Sequence, residues 1–404
     1  MLDKNRRTIE ALRTGVPTRE VAELLGSGQV QLESRYKELL AAKRRGTKIS
    51  TNGFVCFGGF GTGKSHTLEV FSKIALDSNC VVSRATISNN LKLGSPLSIT
   101  NALLSSTQTS RHQENGFESL LADALARKHN FSGFVSWLQS EVQNGQLSPG
   151  YIAIAKGLAS THYAAAAFDK IVDFLKGLAV LPDLKRLLRH GSIFPRGAER
   201  VNETTKFLSR LFMELGYSGW VVLFDELELI RLLGGKIARG KSYSELAHWM
   251  GFKEQRATNG LTVIGCMTAG YVQERIDWSN SGECELETIP ARLLDSKSAH
   301  LHTSAKFGME VLQKWDADPV LHLTQPTKES LAQVQNVLRD VYENTYGIQV
   351  EPISIERSSG DPMRMHIRRW IISWDLKRQG REVALKETRV DQAYVVTDDD
   401  EVDD

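Results

Sequence analysis

The stretch 58-GGFGTGKSHT-67 decides the fold. Four glycines in six residues give up backbone order just before an apparent helix, and that needs a reason. The spacing Gly58-x-x-x-x-Gly63-Lys64-Ser65 supplies one, because it is the pattern of a phosphate-binding loop. Glycine tolerates positive φ and carries no side chain, so successive N–H groups can turn inward on an anion. A helix opening at Lys64 adds the positive end of its dipole. In this reading Gly58, Gly59, Phe60, Gly61, Thr62, Gly63, Lys64, Ser65 and His66 enclose the phosphates of a nucleotide. Lys64 reaches the β- and γ-phosphates, and the Ser65 hydroxyl ligates Mg²⁺.

The flanks fit that reading. Upstream, 54-FVCF-57 is a short run of strand formers. Downstream, 66-HTLEVFSKIALDS-78 spaces Leu68, Phe71, Ile74 and Ala75 as a helix does. Strand, glycine loop and helix are the context the motif requires; a glycine-rich surface turn would not require them.

A second motif completes the site. In 219-GWVVLFDELE-228 the run Trp220 to Phe224 is continuously apolar, as in a parallel strand buried on both faces. It ends in Asp225-Glu226, and acids at the carboxyl end of such a strand face the ligand crevice. Asp225 is expected to position Mg²⁺ and Glu226 to orient the attacking water. A further strand, 261-LTVIGCM-267, ends at Thr268, which either contacts the γ-phosphate or simply caps the strand. Two more strands are expected at 80-CVVSRATI-87 and 319-PVLHL-323.

The rest of the chain reads as helical. Residues 1–50 form an N-terminal helical segment, with Thr18 opening a helix ahead of Val21 and Ala22. The nucleotide-binding core spans 51–325, and helical periodicity over about 100–215 marks an insertion within it. A lid over 326–385 contains 329-ESLAQVQNVLRDVYENTYG-347 and 358-SSGDPMRMHIRRWIISWDLKRQG-380. The last stretch, 386–404, is an acidic disordered tail with six carboxylates in 398-DDDEVDD-404.

Composition narrows the class. The chain has 404 residues, 41% apolar and 24% charged, which is ordinary for a globular protein. No run approaches the roughly 18 apolar residues of a membrane span, and a cytoplasmic location is expected. The four cysteines, Cys56, Cys80, Cys266 and Cys284, lie too far apart for a C-x-x-C site and read as free thiols. His300 and His302 have no second ligand cluster near them in sequence. Net charge is only +2, but basic clusters stand at 43-KRRGTK-48, 185-KRLLRH-190 and 364-RMHIRRW-370. They are either solvated helix faces or contacts to nucleic acid without sequence preference.

The order of parts resembles AAA+-type ATPases, especially the origin-recognition and clamp-loader branch. The resemblance implies an ASCE-type α/β fold: a parallel sheet between helices with a helical lid. Within the lid, 360-GDPMR-364 resembles the sensor-2 element, one residue longer than usual, and implies that Arg364 meets the γ-phosphate, with Arg368 as substitute. The segments 8-TIEALRTGVPTREVAELLGSG-28 and 225-DELELIRLLGGKIARGKSYSELAHWMG-251 are similar to BREX-type ATP-binding proteins of bacterial phage defence, the small D-type ATPase in particular. That similarity implies ATP and Mg²⁺ as ligands, ATP hydrolysis, a large helicase or other defence proteins as partners, and work on or near DNA. ATPases of this kind share the nucleotide between subunits in an ATP-dependent oligomer. Arg292 is then the preferred trans-acting arginine, ahead of Arg275 and Arg239. Two other readings stay open: a nucleotide-gated switch that hardly hydrolyses ATP, and a replication-initiator-like DNA-binding ATPase. About 25 residues follow Gly380, too few for a winged helix, which weakens the last.

Overall fold

Strand-forming apolar runs that are buried on both sides can satisfy their backbones only by pairing with one another. The computed structural model describes residues 2–16, 18–47, 49–112, 116–126, 131–159, 165–178, 193–195, 197–251, 258–277, 284–353 and 362–380. Its strands are β1 (Gly53–Gly58), β2 (Val81–Thr86), β3 (Trp220–Asp225) and β4 (Leu261–Thr268). They form one parallel sheet in the order β1-β4-β3-β2. β1 and β3 are buried at every position, whereas edge strand β2 leaves Arg84 half-buried and Thr86 exposed. Register aligns the carboxyl ends: Gly58 lies opposite Thr268, and Thr86 opposite Asp225. One rim of the sheet therefore collects the glycine loop, Thr268 and the acids after β3.

The expected strand at 319–323 is mostly a turn. Pro319 has no N–H to give a ladder, and the Asp318 side chain accepts the Val320 N–H instead, closing a 3-10 turn over Pro319–Leu321. What survives is one parallel bridge, His322 to Phe57, with the Leu323 N–H donating to the Phe57 carbonyl at 2.7 Å. It lies beside β1, so the segment extends the sheet by a single rung.

Between β2 and β3 the described residues carry the helices Pro96–Ser105, Gly116–Ala126, Ser132–Gln143, Gly150–Ala159, Ala165–Leu175 and Gly197–Glu214. Their aromatic faces, Phe117, Phe134, Tyr151, Phe174 and Phe207, join the same core as the sheet. Phe212 sets its edge against Trp220 of β3, with centroids 5.6 Å apart.

The N-terminal residues divide their packing. Helix Val30–Arg44 covers the main core, and its Tyr36 stacks on Phe71 of the phosphate-loop helix, Lys64–Asp77, at 4.4 Å. Helices Leu2–Thr14 and Arg19–Leu25 instead build a second small core with Lys328–Tyr346 and Met363–Arg378, around Leu12, Val21, Leu338, Tyr342 and Trp370. Arg13 ties that unit together, donating from Nε and Nη2 to Asp375 at 3.0 and 2.8 Å. Thr18 caps Arg19–Leu25 by accepting the Val21 N–H. The cluster 185–190 and the tail 386–404 lie outside the described residues.

Candidate nucleotide site

The loop after β1 is shaped by its glycines. Gly61 and Gly63 sit at φ +75° and +98°, where a side chain would strain the backbone. A Cβ at Gly58 would meet the Thr62 hydroxyl at 2.5 Å, and that hydroxyl donates to the Gly59 carbonyl at 2.9 Å. Gly63 precedes the helix without offering a side-chain cap, so the opening N–H groups of Lys64, Ser65 and His66 have no capping side chain. Phe60 stands at the loop's apex, 91% exposed.

Lys64 is buried and bends back into the loop. Its Nζ donates to the carbonyls of Gly58 at 3.1 Å and Gly59 at 3.4 Å, and to Thr268 Oγ1 at 3.4 Å. It also pairs with Glu228 Oε1 at 3.6 Å. The Thr268 hydroxyl donates to the same Glu228 oxygen. Lys64, Thr268 and Glu228 therefore close a triangle at the mouth of the loop.

Glu228 is absent from the sequence reading. It is 7% exposed, and its Oε2 has no hydrogen-bond partner among the described residues. Its position follows from the turn after β3. Glu226 adopts φ 60° and ψ 37°, a left-handed conformation that is costly without glycine, and so reverses the chain into the 3-10 helix Leu227–Leu232. Leu227 seats over Gly265 of β4, where a Cβ would meet Leu227 Cδ1 at 2.5 Å. That seat swings Glu228 back over the tip of β4. The only sequence signal was the second acid in 225-DELE-228.

Asp225 is 3% exposed and also paired. Arg84 Nη2 donates to its Oδ2 at 2.7 Å, and the Glu226 N–H donates to its Oδ1 at 3.1 Å. A lone cation inside an expected strand was the signal for Arg84. Glu226 is half-buried; burial first, then the charges of Glu228 and Asp225, raises its pKa, against a smaller opposing pull from Lys64. His66 places Nε2 2.6 Å from the Gly26 carbonyl, and burial lowers its pKa, which ties its ring to the N-terminal unit.

The arginines separate. Pro362 packs on the loop, 2.8 Å from where a Gly61 Cβ would be, while Arg364 is exposed and lies against Gly15. Gly360 and Asp361 of the sensor-2-like segment lie outside the described residues. Arg239 is held by Glu285 at 2.7 Å and the Leu233 carbonyl at 3.2 Å. Arg275 is exposed. Arg292 is exposed and lines a groove of about 410 Å³ with Lys236 and Lys241, a groove that no phosphate-loop residue lines.

The residues present suit a nucleotide carried with a small hard cation. Mg²⁺ uses one or two protein oxygens and completes its shell with phosphate oxygens and water, so the Ser65 hydroxyl and the Asp225 carboxylate, once released by Arg84, would be an adequate donor set. Among the described residues no three His, Cys, Asp or Glu side chains converge as a protein-only metal cage. No helix of the described residues is long and apolar enough to cross a membrane.

A parallel sheet whose rim carries a glycine loop, a buried lysine and facing acids defines a phosphate-loop-like α/β protein. The family model described as BREX system ATP-binding protein BrxC/D matches residues 3–129 and 197–359, most of the chain, and the chain belongs to that family. Residues 130–196 lie between the two matched stretches. Comparison with curated proteins finds no match.

Proposed function

We propose that the chain binds and hydrolyses ATP with Mg²⁺ and couples nucleotide state to a DNA-associated antiphage assembly, with a helicase or other defence protein as partner. The observation that carries this reading is the triangle of Lys64, Thr268 and Glu228 at the mouth of the glycine loop. The placement of β4 between β1 and β3 supports an AAA+-like, ASCE-type core, with residues 326–385 as lid.

In this mechanism the loop N–H groups and Lys64 neutralise the β- and γ-phosphates. Mg²⁺ held by Ser65 and Asp225 would supply further charge neutralisation. Thr268 would hold Glu228 through its hydroxyl at the mouth of the loop. A carboxylate at this rim, Glu226 or Glu228, would polarise the attacking water. An arginine, from the lid at Arg364 or from a neighbouring subunit at Arg292, completes the charge clamp. One observation favours a slow switch over a motor: Arg84 already occupies Asp225, so turnover by the isolated chain is low until a partner rearranges that pair.

The test is phosphate release by the purified chain with and without Mg²⁺, beside plating of phage on cells carrying the intact system. Lys64→Ala is expected to abolish nucleotide binding and protection together. Full protection by Lys64→Ala would show that nucleotide is dispensable.

A further inference from the structure

Two carboxylates compete for one role, and the geometry separates them. Glu226 occupies the position next to the metal-binding acid, but its backbone is spent on the left-handed turn and its side chain is half-buried. Glu228 is buried, shares one oxygen between Thr268 and Lys64, and has its other oxygen unpartnered among the described residues. Burying a carboxylate oxygen without a hydrogen-bond partner costs stability, and a catalytic role is one reason for such a group to be kept. The turn that places it there is itself strained, and its anchor needs the missing Cβ at Gly265.

On the hydrolysis reading above, we infer that Glu228, not Glu226, is the catalytic carboxylate that polarises the attacking water, and that Lys64 masks it until phosphate arrives. Lys64 has two claimants. Without nucleotide its charge is matched by Glu228; with nucleotide the β- and γ-phosphates draw it forward, because they carry more charge than one carboxylate. Glu228 is then left with the Thr268 hydroxyl on Oε1 and a free Oε2 beside the γ-phosphate end of the site. The water oxygen bonds to the γ-phosphorus as the bond from that phosphorus to the bridging oxygen of ADP breaks. One water proton passes to Glu228 Oε2 and then to solvent; the other stays on the released phosphate. Binding and activation are thereby one event.

The experiment compares wild type with Glu228→Gln, Glu228→Asp and Glu226→Gln, measuring both affinity for a fluorescent non-hydrolysable ATP analogue and single-turnover phosphate release. Glu228→Gln is expected to bind nucleotide more tightly than wild type, because Lys64 loses its competitor, while release slows by about 100-fold or more. Glu228→Asp, which keeps the charge but withdraws it by one methylene, should fold normally, bind as wild type and still slow release. Glu226→Gln should slow release by less than about tenfold. A merely structural glutamate would weaken binding and turnover together, so the split between them is the signature. If wild type hydrolyses ATP and Glu228→Gln does so equally well, or if Glu226→Gln gives the large loss, this assignment is overturned and the hydrolysis reading stands. If wild type binds the analogue but releases no phosphate from ATP under any condition, including in the assembled system, both fall.

Discussion

Arg84 of β2 reaches across to Asp225 of β3, donating from Nη2 to Oδ2 at 2.7 Å, while its Nη1 donates to Glu69 of the phosphate-loop helix at 3.0 Å. One guanidinium thus links the edge strand, the acid at the end of β3 and the helix that opens at Lys64. Asp225 is too buried for water to replace that partner. Arg84→Ala should destabilise the protein by about 2 kcal/mol, less than for a fully buried pair because Arg84 itself is partly exposed. Adding Asp225→Asn should restore much of the loss, since the amide leaves no buried charge unpaired. Urea denaturation of the two variants measures both; an unchanged midpoint for Arg84→Ala would show that the pair contributes nothing.

The contact between Gly61 and Pro362 joins the glycine loop to the start of the last described helix, Met363–Arg378. Gly61→Ala would force a Cβ into the proline ring and into a left-handed backbone at once. The expected result is weaker nucleotide binding, by about tenfold, together with a loosened second core around Leu12, Tyr342 and Trp370. Affinity for the ATP analogue and proteolysis between the two packing units report on the two halves. Wild-type affinity would mean that the loop adapts without its contact to Pro362.

The placement of the candidate site was legible because a phosphate-loop pattern fixes the spacing of its glycines, and a buried parallel strand constrains its apolar run. Gly58 to Ser65 and Trp220 to Asp225 lie on the elements expected of them, at the rim where β1, β3 and β4 end. What sequence could not supply was set by contacts distant in the chain. Arg84 meets Asp225 across 141 positions, and Glu228 meets Lys64 only because Gly265 makes room for Leu227. The segment 319–323 has a strand's composition, yet Pro319 and Asp318 turn it before a ladder can form. Helices Leu2–Thr14 and Arg19–Leu25 belong with Lys328–Tyr346 and Met363–Arg378 because Arg13 and Leu12 find their partners there, a pairing that no local pattern announces.

Lys43 gives the protein a pH signature away from the site. Its ammonium is buried, donating to Asn52 Oδ1 and the Thr258 carbonyl at 3.2 Å each, and burial lowers its pKa from 10.5 to about 8. Between those values the unfolded chain holds a proton that the folded chain has released. Stability from this group therefore rises as pH climbs through about 8 toward 10.5, and below 8 the full cost of the buried charge persists. The stability difference between wild type and Lys43→Met should shift in favour of wild type by about 2 kcal/mol across that window. Denaturation of both proteins at pH 7.5 and 10.5 cancels the other titrating groups. A constant difference would place the Lys43 ammonium in water.

Of the three candidate trans-acting arginines Arg275 and Arg292 are both exposed, and Arg292 lines a groove. Arg292 is exposed on the helix Glu285–Leu294, beside Lys236 and Lys241, in a groove that contains no phosphate-loop residue. Arg239, by contrast, is committed to Glu285 within its own chain. An arginine that serves a nucleotide from that position serves one bound by a neighbouring subunit. Arg292→Ala should leave nucleotide affinity of the single chain unchanged while lowering hydrolysis in the assembled form by about 1,000-fold, the scale of a missing arginine finger. Mixing decides between a shared site and a general defect. Subunits with Arg292→Ala keep intact loops, and subunits with Lys64→Ala keep their arginines, so each mixed boundary can join an intact loop to an intact arginine. Recovered hydrolysis in the mixture, where each variant alone is inactive, is the expected outcome. A chain that stays monomeric with ATP and DNA yet hydrolyses at the full rate would exclude a trans-acting arginine, leaving Arg292 to the phosphates of DNA or to solvent.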